Sequence, residues 1–234
     1  MDDLEASVLA SLDGQDPDLL PLLPELLADL EGLGSDALLI EGLLAGRLPS
    51  DARLLDLGCG KGAVTLHLLA RHPWTALGLD GLPAFIQRAR ERALELGLAD
   101  RCRFEVADIR SWGGDGRFDA ILLGAIGPIL GPLDATLAHL EPWLAPGGMV
   151  FLDACCSLGE LPAEGLETHA QLMARIHQAN YRVLAEVEGL GPDRDADHQR
   201  MFDAIARRAK DLIQRQPEHR DRVEAYVQNQ AREF

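Results

Sequence analysis

The sequence predicts an α/β protein: a doubly wound, mostly parallel sheet with helices before it and two more helices after it. Three observations carry that prediction. From Arg53 onward, short apolar runs alternate with longer amphipathic ones, the pattern of strand and helix units that build a parallel sheet. A glycine-rich turn, Gly58-Cys59-Gly60-Lys61-Gly62, joins the first apolar run to the first amphipathic one. The chain has 234 residues, 47% hydrophobic and 26% charged, which is enough for a substantial core and unlike a disordered composition.

The elements follow in order. Residues 17–48 are leucine-rich and punctuated by Pro21, Pro24, Gly32 and Gly34. They predict two helices, with Ser35 and Asp36 placed to cap the second, which runs to about Leu48. Strands are expected at Arg53–Leu57, Thr75–Leu79, Cys102–Val106, Phe118–Leu123, Gly148–Asp153 and Tyr181–Glu188. Helices are expected between them at 62–71, 82–96, 133–144 and 166–180, with a turn-rich stretch at Ser111–Gly116. In the tail, Met201, Phe202, Ile205, Ala209, Leu212 and Ile213 recur at helical spacing, as do Val223, Val227 and Phe234 beyond Pro217, so two amphipathic helices close the chain. The boundaries read from this are an N-terminal helical cap (1–48), an α/β core (49–190) and a helical tail (191–234), packed as one compact domain.

Charge and composition exclude several classes. Lys plus Arg number 22 against 38 Asp plus Glu, a net charge of −16, which repels phosphate backbones and anionic membranes. Aromatic residues are only 5%, so stacking platforms for single-stranded nucleic acid are few. The longest apolar run, Ala120 to Leu130, is interrupted by Gly124, Gly127 and Pro128 and falls short of the ~18 residues of a membrane span. The start, Met1-Asp2-Asp3-Leu4-Glu5, is acidic where a leader would be basic. The cysteines Cys59, Cys102, Cys155 and Cys156 match neither a zinc spacing nor a disulfide framework, and reduced thiols predict a cytoplasmic protein. No nucleic-acid partner, no membrane and no metal are expected.

The turn after the first strand carries the chemistry. Alternating glycines permit a tight turn and close approach of a ligand, and the helix that follows offers free N–H groups. Gly58, Gly60 and Ala63 also satisfy the dinucleotide pattern, so the glycines alone leave NAD and S-adenosylmethionine both open. Asp56 tips the balance. A carboxylate is unfavourable beside pyrophosphate, whereas the ammonium and sulfonium of S-adenosylmethionine are attracted to it.

With this turn, Ala76-Leu77-Gly78-Leu79-Asp80, Val106-Ala107-Asp108-Ile109 and Leu144-Ala145-Pro146-Gly147-Gly148-Met149-Val150 in that order, the chain resembles a class I S-adenosylmethionine-dependent methyltransferase of the small-molecule type. The motifs span residues 34 to 153, about half the chain, and their order is more specific than any one of them. The resemblance implies a Rossmann-like fold and S-adenosylmethionine as cofactor, with S-adenosylhomocysteine as product. It further implies that Asp80 accepts both ribose hydroxyls and Asp108 bonds the adenine amine. Gly81, Leu82 and Ile109 would flank the ring, and Asp56, Gly58, Cys59, Gly60 and Gly124 would line the remainder. The family closes its sheet with an antiparallel seventh strand, and nothing after Tyr181–Glu188 reads as one. The unfilled edge predicts a homodimer or an edge covered by the tail helices.

After strand four the chain reads Leu122-Leu123-Gly124-Ala125-Ile126-Gly127-Pro128, without the Asn- or Asp-Pro-Pro-aromatic motif that holds planar amines in the family. A small, uncharged or cationic acceptor is therefore expected, bound between residues 17–48, the Gly124–Gly131 loop and Asp153–Ser157. Asp153, closing strand five, is the candidate for orienting or deprotonating it. His169 and His177 read as exposed helix residues, Cys155 and Cys156 as free thiols, and Arg207, Arg208, Lys210 and Arg215 as a solvated face interleaved with acids. The alternatives are an NAD-dependent oxidoreductase and a non-catalytic S-adenosylmethionine-binding protein.

Overall fold

A computed structural model describes residues 3–157, 159, 161, 166–187 and 192–233. In chain order its elements are α1 (Asp3–Ser11), α2 (Leu23–Leu26), α3 (Ala37–Leu44), β1 (Arg53–Leu57), α4 (Ala63–Arg71), β2 (Thr75–Asp80), α5 (Pro83–Glu95), β3 (Cys102–Val106), β4 (Phe118–Leu123), α6 (Leu133–Leu140), β5 (Leu144–Leu152), α7 (His169–Gln178), α8 (Pro192–Arg215) and α9 (Arg220–Glu233). They divide into two compact units, Met1–Leu33 with Val187–Phe234, and Gly34–Glu186. The division falls at Gly34 and not at residue 48, so α3 belongs with the sheet and not with the N-terminal helices.

The larger unit is a five-stranded sheet in the order β3-β2-β1-β4-β5, and every pairing in it is parallel. Both faces are covered, and the strands alternate accordingly. On β1, Leu54 enters a cluster with Ile40, Leu66, Leu69, Ile86 and Phe104, drawn from α3, α4, α5 and β3. Its neighbours Leu55 and Leu57 enter the opposite cluster with Ile121, Leu123, Leu140 and Trp143. The strand order reverses between β1 and β4, so their carboxyl ends open a crevice, the place where α/β sheets bind ligands.

Local chemistry sets the helix ends. Asp36 caps α3, its carboxylate accepting from the N–H groups of Leu38 (2.8 Å) and Leu39 (3.1 Å). Glu41 on α3 then ties that helix to α4, with His67 Nε2 at 2.7 Å and His72 Nε2 at 3.0 Å. The helix expected over 133–144 ends at Leu140 and continues as a 3-10 turn, Glu141–Trp143. Pro142 at that point lacks the N–H a helix would need.

Two expectations need correction. Residues 181–187 form no strand, so the sixth strand expected at Tyr181–Glu188 is absent among the described residues, Glu188 lying outside them. Period-two alternation makes a strand only where a ladder partner exists, and Leu184 and Val187 stand half in solvent. β5 begins at Leu144, earlier than Gly148, and a register shift on β4 between Phe118 and Ala120 absorbs the Pro146-Gly147-Gly148 turn as a bulge.

The smaller unit is helical and includes α1, which has no counterpart among the sequence expectations. The apolar stripe of α8 (Ile205, Ala209, Leu212, Ile213) is buried, as are Leu19, Leu23 and Leu26. Arg208 pairs with Asp29, Arg215 with Glu25, and Arg222 with Asp16 (3.3 Å) and Asp18 (3.1 Å). Most of the tail's arginines thus answer acids of their own unit. Among the described residues, no helix is long and apolar enough to cross a membrane.

Candidate active site

The β1–α4 turn is built by backbone hydrogen bonds to the neighbouring strand. Gly58 and Cys59 both donate their N–H to Leu79 O, at 2.8 and 2.9 Å, and Gly62 donates to Cys59 O at 2.9 Å. Gly58, Gly60 and Gly62 have φ of 72°, 53° and 75°, the left-handed region where a Cβ is strained. Phe104 lies beneath: a Cβ on Gly62 would sit 2.9 Å from its ring, and one on Gly78 2.5 Å. The turn is thus both wound and floored by residues that admit only glycine.

Asp56 and Asp80 face this turn from the ends of β1 and β2. Asp56 is buried, and Thr65 Oγ1, from the first turns of α4, donates to its Oδ2 at 2.5 Å. Burial pushes its carboxyl up to about 6, with the nearby Asp80 charge adding and the Thr65 hydrogen bond opposing. Asp80 accepts from the N–H of Gly60 through Oδ2 and of Leu82 through Oδ1, both at 2.8 Å. Burial raises its carboxyl as well, against those two donors. Each carboxylate oxygen has two lone pairs, so both oxygens of Asp80 keep acceptor capacity.

Asp108, beyond β3, is engaged differently. Arg110 forks onto it, Nε to Oδ1 at 2.9 Å and an NH group to Oδ2 at 2.7 Å, and its backbone N–H adds a third bond at 3.0 Å. This guanidinium holds the Asp108 carboxyl below the usual carboxylate range. Ile109 is buried in the apolar cluster with Leu57 and Leu79, and its carbonyl meets His139 Nε2 at 3.1 Å. Cys59 is buried, and burial pushes its thiol up, so the turn offers backbone here and no nucleophile. Gly81 and Leu82 follow Asp80 directly into α5, where Leu82 stands at the N-cap.

On the other side of the crevice, Gly124 ends β4 opposite Ser35, where a Cβ would collide with the Ser35 hydroxyl. Ile126 packs onto Gly58. Asp153, one residue past β5, does not project unengaged into the crevice: its Oδ2 accepts from Ala125 N–H at 2.9 Å. The carboxyl edge therefore gathers Asp56, Asp80, Asp108 and Asp153, a field suited to a cationic ligand and hostile to a pyrophosphate. Thr65 and Arg110 are the participants that sequence reasoning did not name, and Ile126 was read only as part of the loop after β4.

Other candidates lie apart from this arrangement. His169 pairs with Glu186 at 2.5 Å on the surface. Cys155 is exposed and Cys156 half-buried, both as free thiols. Among the described residues, no group of three or more His, Cys, Asp or Glu could hold a metal ion.

Comparison with known proteins places the turn and sheet in context. Residues 54–148 match the model of a methyltransferase domain family. Over 90 residues the chain is 42% identical to 2-heptyl-1-hydroxyquinolin-4(1H)-one methyltransferase of Mycobacteroides abscessus, covering 38% of this chain and 34% of that one. Over 136 residues it is 35% identical to trans-aconitate 2-methyltransferase of Methylobacterium nodulans, covering 57% and 48%. The chain thus spans between a third and a half of the length of these curated relatives. Its fold matches that of a methyltransferase from Geobacter sulfurreducens crystallised with S-adenosyl-L-homocysteine, with a TM-score of 0.75, 20% identity and 90% coverage of both chains.

Proposed function

We propose that this chain is a class I methyltransferase, that it binds S-adenosylmethionine at the carboxyl edge of β1–β4 and that it transfers the methyl group to a small molecule. The observation that carries this reading is the acidic, glycine-floored turn, in which buried Asp56 and doubly anchored Asp80 face one crevice. When bound, S-adenosylmethionine supplies a methyl carbon made electrophilic by its sulfonium.

The residues present fit that cofactor. Asp56, whose ionisation is costly where it stands, gains a counter-charge from the cofactor's ammonium. Asp80, held rigid by Gly60 and Leu82, offers its remaining lone pairs to a ribose diol. Gly81, Leu82 and Ile109 bracket the adenine, and Asp108 accepts from its amine while Arg110 keeps it ionised. Gly58, Cys59, Gly60 and Gly124 admit the ligand against backbone. In-line displacement at a sulfonium asks mainly for position, and holding the acceptor about 3–3.5 Å from the methyl carbon supplies most of the acceleration. A base from this chain is optional, the acceptor's proton, where it has one, passing to solvent or to a carboxylate such as Asp153.

A small acceptor is favoured because the segment after β4 lacks a planar-amine motif and the net charge is −16. The same charge argues against nucleic acid. We further infer a cytoplasmic homodimer, from the free thiols and from β5, which stands as an edge strand of the sheet. Cell fractionation and sedimentation velocity test those two points. The central test is transfer of labelled methyl groups to fractionated cell extract, with calorimetry against S-adenosylmethionine, S-adenosylhomocysteine and NAD. Label in the small-metabolite fraction is expected, and label confined to RNA, DNA or protein, or tighter binding of NAD, overturns the reading. Trans-aconitate, the substrate named for one relative, is a polyanion, so separating that fraction by charge also decides the character of the acceptor.

A further inference from the structure

Asp153 stands where an acceptor-activating base would be sought, yet its carboxylate is committed to backbone. Oδ2 takes the N–H of Ala125 at 2.9 Å, and its own N–H continues the β4–β5 ladder by donating to Leu123 O at 3.2 Å. Ala125 is held at φ 52°, a left-handed conformation that is strained for a non-glycine residue. The Asp153 bond is a contact made directly to the strained residue.

The consequence runs outward from Ala125 in two directions. Toward α3, Gly34 approaches so closely that a Cβ on it would lie 2.9 Å from the Ala125 Cβ, and Gly34 itself has φ 114°. Its neighbour Ser35 lies against Gly124, and Asp36 starts the α3 cap. Toward β1, the next residue, Ile126, seats its side chain on Gly58 of the glycine turn. One kinked residue thus sets both the segment entering α3 and the apolar cover over the turn.

We propose that Asp153 is a positioning residue for the cofactor cleft: by latching Ala125 it seats Gly34–Ser35 and Ile126, which form the wall of the crevice at the β1/β4 switch point. The proposal rests on the reading that the crevice binds S-adenosylmethionine, and it assigns Asp153 no proton transfer. Without the latch, Ala125 relaxes toward negative φ and the wall must be reassembled each time ligand binds, which weakens affinity through lost pre-organisation.

The test compares Asp153→Ala and Asp153→Asn in the full chain, with S-adenosylhomocysteine as the calorimetric probe and melting temperature as the control for folding. Asparagine keeps an oxygen that can accept from Ala125 N–H, so it serves as the rescue. Asp153→Ala should raise Kd by about 3- to 30-fold, the range for a lost hydrogen bond together with the strain it holds. Asp153→Asn should stay within about threefold of wild type. Unchanged Kd in Asp153→Ala, or equal weakening in both variants, overturns the proposal. Failure of the wild type to bind S-adenosylhomocysteine would instead remove the cofactor reading. In that event amide exchange decides the latch: Asp153→Ala must accelerate exchange at Ala125 and Asp153→Asn must not, and equal protection in all three proteins overturns it.

Discussion

Asp56→Asn should stabilise the ligand-free protein while weakening it as a cofactor binder, and the size of both effects follows from burial. Burial pushes the carboxyl from the ordinary aspartate range up to about 6 in the folded chain. The folded state therefore holds a proton that the unfolded chain has already released. Stability from this group is fully present below about pH 4, falls as pH climbs to about 6, and stays low above. The lost stability amounts to about 3 kcal/mol at pH 7.5 and roughly half of that at pH 5. Asparagine has no such charge to bury and can still accept from Thr65. Urea unfolding should show the variant more stable than wild type, with the gap widening by about 1 kcal/mol between pH 5 and pH 7.5. Binding gives the converse reading: if the cofactor's ammonium pairs with ionised Asp56, wild-type affinity for S-adenosylhomocysteine should tighten about tenfold over the same interval. A gap in unfolding free energy that does not change with pH would refute the burial argument. An affinity that does not change with pH would refute the ammonium partner.

Asp80→Ala removes a charged acceptor and should weaken S-adenosylhomocysteine by roughly 1–3 kcal/mol in calorimetry, and unchanged affinity in a folded variant would withdraw the ribose assignment. An inosine-containing cofactor analogue lacks the donor that Asp108 would accept, so it should bind more weakly than the adenosyl form. Arg110→Met should narrow that difference, because the guanidinium no longer holds Asp108 in place. Leu55 is fully buried on β1, so Leu55→Ala should cost about 2–5 kcal/mol of unfolding free energy, measurable by urea denaturation.

The parts of this molecule legible in the sequence are those that local chemistry enforces. The β1 run, the glycine turn and the amphipathic helix after it follow from residue type and period alone, and Asp36 announces the start of α3 before any contact is known. The carboxylates at the ends of β1 and β2 could be read because strand ends in an α/β alternation share one edge. What could not be read depends on partners distant in sequence. Residues 181–187 have the alternation of a strand and no ladder beside them. Thr65 reads as an ordinary helix residue until the turn folds back and brings Asp56 to 2.5 Å. Arg110 carried a readable signal, a cation two residues beyond Asp108, but only the turn between them makes the fork.

Gly124 shows how one glycine can have two competing reasons for its place. From sequence, it is a glycine that a cofactor approaches by backbone contact. In the structure, a Cβ there would stand 2.4 Å from the Ser35 hydroxyl oxygen, so a side chain would have to move Ser35 with or without ligand. Lost binding in Gly124→Ala would therefore not establish a cofactor contact, since the collision with Ser35 alone would displace the wall that Asp153 and Ala125 hold. The informative variant is the double one: Ser35→Gly beside Gly124→Ala relieves the internal collision and leaves any ligand collision in place. If affinity for S-adenosylhomocysteine recovers, Gly124 serves the packing of Gly34–Ser35. If it does not, backbone approach of the ligand is what excludes a side chain at this position.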